Sequence, residues 1–143
     1  MTGRLEIARA YERALFANAM DAVGRAFTDD VVYWVAGHPP LGGEWRGREA
    51  VLRALANREP GLGAADWGHE DVWRHWYEAD ERVIVEIRER SWLESAPEDV
   101  MDQRTCVVLR FRGEHVCEMR DYTDSHVYEA FLAKHRSRLP KFA

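Results

Sequence analysis

The feature that most constrains the fold of this chain is a change in the spacing of its apolar residues. Leu5, Ala8, Tyr11 and Leu15 recur at intervals of three and four residues, which places them on one face of a helix. From Asp71 onward apolar and polar residues alternate, a pattern typical of strands. Helices grouped before strands predict an α+β domain in which a curved antiparallel sheet wraps around the N-terminal helices.

Local signals divide the chain into nine regular segments. Good helix formers, β-branched runs and breaks at glycine or proline set their limits. Asp124 directly precedes the last helix, where its carboxylate can cap the free N–H groups. The predicted helices cover roughly 3–18, 20–27, 47–55 and 125–138, and the predicted strands cover roughly 31–35, 71–78, 82–93, 103–112 and 115–123.

Length and charge narrow the possible classes of function. With 143 residues and 46% hydrophobic content, the chain can bury the core of one domain, which we expect to span 1–143. Its formal net charge of -5 argues against a nucleic-acid partner, since phosphate binders carry a basic footprint. No apolar run approaches the roughly 18 to 20 residues of a membrane helix and no signal peptide is visible, so we expect a cytoplasmic protein without a membrane partner.

Three stretches carry a resemblance to a known family: FTDDVVY (27–33), WRGREAV (45–51) and RDYTD (120–124). They are similar to the SnoaL-like branch of the nuclear transport factor 2-like superfamily, which includes polyketide cyclases, ketosteroid isomerases and limonene epoxide hydrolases. The resemblance implies a cone-shaped fold with a deep, mostly apolar pocket, and a homodimer that packs sheet to sheet. The superfamily shares no single chemistry, so the function has to come from the residues of the pocket.

The resemblance to the ketosteroid isomerases is incomplete. It places Tyr11 at the tyrosine of their oxyanion hole, but Val35 and Val107 stand where their two carboxylic acids lie. We therefore do not expect steroid-type isomerisation. Tyr11 has a second interpretation, as a core tyrosine whose hydroxyl is satisfied nearby.

The resemblance to the limonene epoxide hydrolases is also partial. It places Asp121 at their acid, Arg88 at the arginine beside that acid, and Tyr33 at a tyrosine that orients water. Arg90 stands at their water-activating aspartate and Val35 at the asparagine that helps to hold the water. Arginine stays protonated and cannot be that base, so hydrolysis ranks below cyclisation.

Alternation divides the side chains of the strand 82–93 between two faces. We predict that the even-numbered row faces the pocket and that the more apolar odd-numbered row faces a partner subunit. The alternative is that the even row lies in solvent and forms cross-strand ion pairs of small energy. A register error of one or two residues in the resemblance to the hydrolases would bring Glu89 or Glu86 into the pocket in place of Arg90. The polar and aromatic part of the even row consists of Glu86, Arg88, Arg90 and Trp92.

Asp121 is the best catalytic candidate in the sequence. It shares a strand face with Met119 and Cys117, so we expect its carboxyl group to be partly removed from water. Polyketide cyclases of the same branch use one pocket aspartate as acid and base. The alternative is a structural carboxylate that accepts backbone hydrogen bonds before the last helix.

The histidines do not predict a metal centre. The chain has six histidines, and none follows the HxH, HxxxH or HExxH spacing of common metal sites, so we expect neither metal nor organic cofactor. His38 follows the strand 31–35 in a loop and is predicted at the pocket mouth, although an exposed loop histidine is the simpler interpretation. His75 and His115 are candidates for a dehydratase, which would combine histidines of the sheet with pocket tyrosines.

These residues together predict a cofactor-free acid–base enzyme that acts on a small, hydrophobic, oxygenated ligand as a cyclase, isomerase or dehydratase. Asp121 would exchange the proton, Arg88 would hold its charge state, and Tyr33 would donate a hydrogen bond to the substrate. The alternatives are a non-catalytic ligand-binding or dimeric accessory module and, ranked lower, an epoxide hydrolase. The predicted substrate-binding residues are Tyr11, His38, Glu86, Arg90, Trp92 and Met119.

Overall fold

The structure is a computed structural model that describes residues 3–39, 41–58 and 67–136. In those ranges helices and strands follow one another in the predicted order, and the α+β class is confirmed. The helices are α1 (Arg4–Phe16), α2 (Met20–Arg25), α3 (Arg48–Arg58) and α4 (Ser125–His135); the strands are β1 (Phe27–Val35), β2 (Gly43–Arg46), β3 (Trp67–Ala79), β4 (Arg82–Leu93), β5 (Ala96–Arg112) and β6 (His115–Thr123).

The strands form one curved sheet in the order β2-β1-β6-β5-β4-β3. β1 runs parallel to β6, whereas each of the other neighbouring pairs is antiparallel. β2 carries no strand signal in the sequence, because its four residues are too few to establish an alternating pattern. Its pairing with β1, in which Tyr33 lies opposite Trp45, extends the sheet beyond what the sequence predicts.

β1 begins earlier than the predicted strand 31–35. Asp29 and Asp30 are typical of a turn in sequence, yet both lie within β1. The side chain of Asp30 accepts a hydrogen bond from Arg112 of β5 at 3.0 Å, and Phe27 is fully buried in the core. Burial of Phe27 therefore ends α2 at Arg25 and draws the two aspartates into the sheet.

The core lies on the concave side of the sheet and has two parts. The larger part packs α1, α2 and α3 on the sheet through residues such as Ala8, Val23 and Leu109. The smaller part packs α4 against the ends of β4 and β5 through Leu93 and Phe131. The helices do not cover the whole concave face, and a cavity remains between the two parts of the core.

α4 begins where the sequence predicts it. Oδ1 of Asp124 accepts a hydrogen bond from the backbone N–H of Val127 at 3.2 Å, so the predicted N-terminal cap is confirmed. α4 ends at His135, and the last predicted helical residues, 137–138, lie outside the described residues. Both Cys106 and Cys117 are free thiols. Among the described residues no helix has the length and apolar character needed to cross a membrane.

Candidate active site

A cavity of about 380 Å³ opens between the two parts of the core. Its floor is formed by β1, β3, β4, β5 and β6, and α1, α3 and α4 contribute to its cover. Polar side chains gather on two opposite sides of the cavity. We call them the aspartate end, on α1, β1 and β6, and the glutamate end, on α1, β3 and β4. The aspartate end consists of Tyr11, Tyr33, Met119 and Asp121, and the glutamate end of Glu12, His69, Arg74, Glu89 and Ser91.

The aspartate end is built by the parallel pairing of β1 with β6. Tyr33 lies opposite Met119 and Val35 lies opposite Asp121, so alternate residues of both strands point to the cavity. The hydroxyl of Tyr11, on α1, donates to Sδ of Met119 at 3.3 Å. Oδ1 of Asp121 is shielded from solvent. All four side chains of the aspartate end line the cavity.

The middle of the cavity floor carries hydroxyl and amide groups. Gln103 and Thr105 lie on β5 and Thr123 on β6. The side-chain amide of Gln103 donates to Oγ1 of Thr123, and the hydroxyl of Thr105 donates to the same atom at 3.1 Å. These contacts hold a polar strip between the two ends of the cavity.

The glutamate end is organised by Arg74 of β3. Its Nη1 donates to Oε1 of Glu12, on α1, at 2.5 Å. Its Nε donates to Oδ2 of Asp71 at 2.9 Å and its Nη2 to Oδ1 of the same residue at 3.3 Å. The ring of Phe16 lies 5.7 Å from the guanidinium carbon. Every nitrogen of this guanidinium is therefore bound by a carboxylate, and α1 is tied to the edge of the sheet.

His69 links the two strands of the glutamate end. Its Nε2 lies 3.1 Å from Oδ1 of Asp71, its Nδ1 lies 3.6 Å from Oε2 of Glu89, and Oγ of Ser91 lies 3.5 Å from the same Nδ1. One ligand atom each of His69, Asp71 and Glu89 lies within 4.8 Å of the others. This cluster could hold a metal ion or, with the imidazole charged, could share protons between two carboxylates.

Burial and charge act in opposite directions on the acids of this end. Burial raises the pKa of Glu12 above its ordinary value of 4.5, and the charge of Arg74 only partly offsets the effect. Burial also acts to raise the pKa of Asp71, but the hydrogen bond and charge of Arg74, with a smaller contribution from His69, hold it below the ordinary 3.8. The cavity thus contains one carboxyl group that protonates more readily than usual and borders another that stays ionised.

The predicted orientation of β4 is wrong. The odd row faces the cavity with Ile87, Glu89 and Ser91, and the even row lies on the outer face of the sheet. The apolar odd residues at the start of the strand are buried within the chain, Val83 in the larger part of the core and Val85 at 2% exposure, so they do not form an exposed surface for a subunit contact. Since a concave face must be apolar where helices cover it, the apolar row is the inner one. None of the even residues Glu86, Arg88, Arg90 and Trp92 lines the cavity.

The even row forms the cross-strand ion pairs of the alternative interpretation. Arg88 donates two hydrogen bonds to Asp102, at 3.0 and 2.8 Å, and Nε of Arg90 lies 3.6 Å from the same carboxylate. Arg88 therefore does not hold the charge state of Asp121. Glu86 is exposed, and the indole N–H of Trp92 donates to Glu94 at 3.2 Å.

The predicted histidines lie outside the cavity as well. His38 is exposed, and its carbonyl accepts the backbone N–H groups of Leu41 and Gly42, so it serves the turn rather than the cavity mouth. His75 faces the outer side opposite Glu86, and His115 is exposed at the start of β6. His69 is the histidine that the cavity contains.

Sequence reasoning missed the glutamate end for a structural reason. β3 carries an irregularity between Asp71 and Trp73, and an extra residue in a strand exchanges its two faces. His69 points to the cavity before it and Arg74 after it, although one number is odd and the other even. A detectable signal was the position of Glu12 beside the apolar stripe of α1, since a charge at that edge of a stripe borders the core.

Comparisons with known proteins agree with the fold. The profile of the SnoaL-like domain matches residues 7–119, which is most of the chain, and the chain therefore belongs to that family. An NTF2-like protein from Burkholderia xenovorans has a similar structure, with a TM-score of 0.72, 16% identity and coverage of 89% of this chain and 93% of the other.

Two further solved structures share the fold. An LEH-like epoxide hydrolase from M. tuberculosis has a TM-score of 0.64 and 20% identity over 91% of this chain and 90% of the other. A putative polyketide cyclase from Pseudomonas putida has a TM-score of 0.69 and 11% identity over 90% of this chain and 96% of the other. At these identities the likeness concerns the fold. No curated protein matches the sequence significantly.

Proposed function

We propose that this protein is a cofactor-free acid–base enzyme that acts on a small, hydrophobic, oxygenated molecule. The observation that carries the proposal is a carboxyl group with a shielded oxygen, that of Asp121, in a cavity wall shared with Tyr11, Tyr33 and Met119. A carboxylate in such a setting can take a proton from carbon, and a tyrosine hydroxyl can stabilise the oxygen on which charge develops.

The contacts of Tyr11 support a role in that step. Its hydroxyl donates to the sulfur of Met119, and a thioether is a weak hydrogen-bond acceptor. A substrate carbonyl would accept the same hydrogen bond more strongly, and most strongly when it becomes an enolate. Asp121 would take the proton from the adjacent carbon and later return it, which gives isomerisation, dehydration or ring closure according to the substrate.

The test uses an apolar bicyclic ketone, 2-tetralone, as probe. Exchange of its α-hydrogens for deuterium in D₂O, followed by NMR, reports proton abstraction without knowledge of the natural substrate. We expect the wild type to accelerate exchange, and Asp121→Asn to lose this acceleration by about 10²-fold or more. Asp124→Asn is the matched control, because Asn also caps helices and Asp124 lies outside the cavity wall.

The outcomes separate an enzyme from a binding module. Exchange that is equally fast in Asp121→Asn would remove Asp121 from the mechanism. If the wild type does not exceed buffer but binds 1-naphthalenemethanol in the cavity, the non-catalytic ligand-binding module replaces the enzyme as the proposed function.

Epoxide hydrolysis is the second candidate, favoured by one observation. Glu89 rather than Arg90 lines the cavity, so the cavity contains a second carboxylate that could activate water. However, Asp121 lies opposite Val107 and Glu89 opposite Gln103, which separates the two positions by about 13 Å along β5. Hydrolysis of styrene oxide in H₂¹⁸O, compared between wild type and Glu89→Gln, tests whether both acids reach one epoxide.

The homodimer stays a prediction, but the surface available for it changes. The outer face of the sheet, rather than the odd row of β4, is the face that a partner sheet can reach. That face exposes Tyr77 and Tyr122 among the ion pairs of Arg88 and Arg90. Light scattering of the purified protein, compared with the Tyr122→Lys variant, tests a dimer through this face.

A further inference from the structure

The charge of the cavity wall is unbalanced. Glu12, Glu89 and Asp121 line the cavity, and Asp71 binds Arg74 and His69 beside it. Around these four carboxyl groups, the basic side chains among the described lining residues are one guanidinium and one imidazole. Even with Glu12 protonated and His69 charged, the carboxylates outnumber the cations. A ligand that fills the cavity meets a negative potential.

An anionic ligand gains nothing from Arg74. Its Nε and Nη2 donate to Asp71, its Nη1 donates to Glu12, and Phe16 covers the guanidinium at 5.7 Å. Three of its five N–H groups are donated to these carboxyl groups, and the charge of Asp71 alone neutralises that of Arg74, so an incoming carboxylate or phosphate finds no net positive charge here. The cavity therefore disfavours the acidic ligands that an arginine in a pocket usually attracts.

The remaining groups of the glutamate end fit a cation. Glu89 and Ser91 line the cavity together with Trp67, which lies at the start of β3 next to the glutamate end. Carboxylate and hydroxyl oxygens accept hydrogen bonds from an ammonium group, and an aromatic face attracts it. We propose that the cavity takes a hydrophobic molecule with a basic amine, whose ammonium group lies at the glutamate end beside Glu89. The proposal names a class of substrate for the enzyme. It rests on the proposed function, because the amine ligand and the acid–base reaction would use the same cavity.

A divalent metal is the rival occupant, because His69, Asp71 and Glu89 lie within 4.8 Å of one another. Two observations favour the ammonium. The guanidinium of Arg74 is 3.3 Å from the Asp71 oxygen that would ligate the metal, and the two nitrogens of His69 face different carboxylates instead of one common point.

The experiment compares three probes of one shape and different charge. 1-Naphthylmethylamine is an ammonium ion at neutral pH, 1-naphthalenemethanol is neutral, and 1-naphthoic acid is an anion. Calorimetry on the full chain gives their affinities. We expect the amine to bind about tenfold more tightly than the alcohol, and the acid to bind most weakly. Equal affinity for amine and alcohol would overturn the proposal.

Two variants of β4 locate the ammonium group. Glu89→Gln should remove about tenfold of the amine affinity and leave the alcohol unchanged, whereas Glu86→Gln, on the outer face of the same strand, should change neither. Alcohol binding reports that the cavity is intact; if Glu89→Gln loses it, Ser91→Ala, which removes the neighbouring hydroxyl acceptor, decides by the same criterion. An amine preference that survives in Glu89→Gln but disappears in Asp121→Asn places the cation at the wrong end and overturns the proposal.

Three further outcomes keep the alternatives apart. EDTA-treated protein is titrated with Zn²⁺. If it binds Zn²⁺ stoichiometrically and the bound ion prevents the amine from binding, the glutamate end is a metal site and the proposal is overturned. An amine preference in a protein that does not exchange 2-tetralone supports this inference and contradicts the proposed enzyme. Exchange of 2-tetralone without an amine preference supports the enzyme and overturns the amine ligand.

Discussion

Consecutive residues of β4 meet opposite environments. Arg88 lies on the outer face, where it pairs with Asp102 and the two side chains are 28% and 39% exposed. Glu89 lies on the inner face, near the ion pair of Arg74 with Glu12, whose side chains are only 14% and 18% exposed. The two pairs have similar chemistry, but only the inner pair is largely removed from water.

The ion pairs on the two faces have similar geometry, but they differ in how much they contribute to the free energy of folding. An exposed pair exchanges one hydrated state for another and contributes little. A largely buried pair has lost its hydration, so each partner depends on the other. The same residue types therefore contribute little to stability on the outer face and much more on the inner face. On the inner face they also set the charge that a ligand meets.

Removal of the buried cation should have the largest effect. Arg74→Met leaves Glu12 and Asp71 close together without their guanidinium, which we expect to cost about 3 kcal/mol of unfolding free energy at pH 7. Urea denaturation measures the loss, and it should diminish at low pH as Glu12 takes up a proton. A loss below about 1 kcal/mol would mean that the inner pair behaves like a surface pair.

The two faces should also respond to pH with opposite signs. The pKa of Glu12 in the folded state is raised above 4.5, so protonation of Glu12 favours the folded state. The contribution of this protonation to stability is complete below pH 4.5 and is lost as the pH rises through the folded pKa. The hydrogen bond from Arg88 lowers the pKa of Asp102 to about 2. The contribution of Asp102 to the stability of the fold is present above pH 3.8 and is lost as the pH falls toward 2.

Carbon-13 NMR titration of the carboxyl groups checks both signs in one sample. We expect the midpoint of Glu12 above 4.5 and that of Asp102 well below 3.8. The stability difference between wild type and Glu12→Gln should then shift in favour of the wild type as pH falls. A Glu12 midpoint at or below 4.5 would remove the contrast between the faces.

The outer pair should give the smallest effect. Arg88→Met breaks the two hydrogen bonds to Asp102, but both partners stay in contact with water. We expect a much smaller loss of stability than in Arg74→Met, and added salt should reduce it further. Measured under the same conditions as Arg74→Met, an equal loss in the two variants would contradict the comparison.

The sequence predicts the fold better than the site. The limits of β4 and β6, the cap at Asp124 and the cavity positions of Tyr33 and Asp121 all follow from local pattern and resemblance. Alternation tells which residues share a face of β4, but not which face is inside, because that depends on the helices that cover it. The irregularity after Asp71 then exchanges the faces of β3, and no local signal marks it.

The most direct test of the account asks which face of β4 meets the ligand. The isoleucines of the chain are Ile7, Ile84 and Ile87, and the last two lie on opposite faces of β4. In protein with ¹³C-labelled isoleucine methyl groups, bound 1-naphthalenemethanol should give nuclear Overhauser effects to Ile87, which lines the cavity, and none to Ile84. Effects to Ile84 without Ile87 would place the ligand on the outer face and contradict the account.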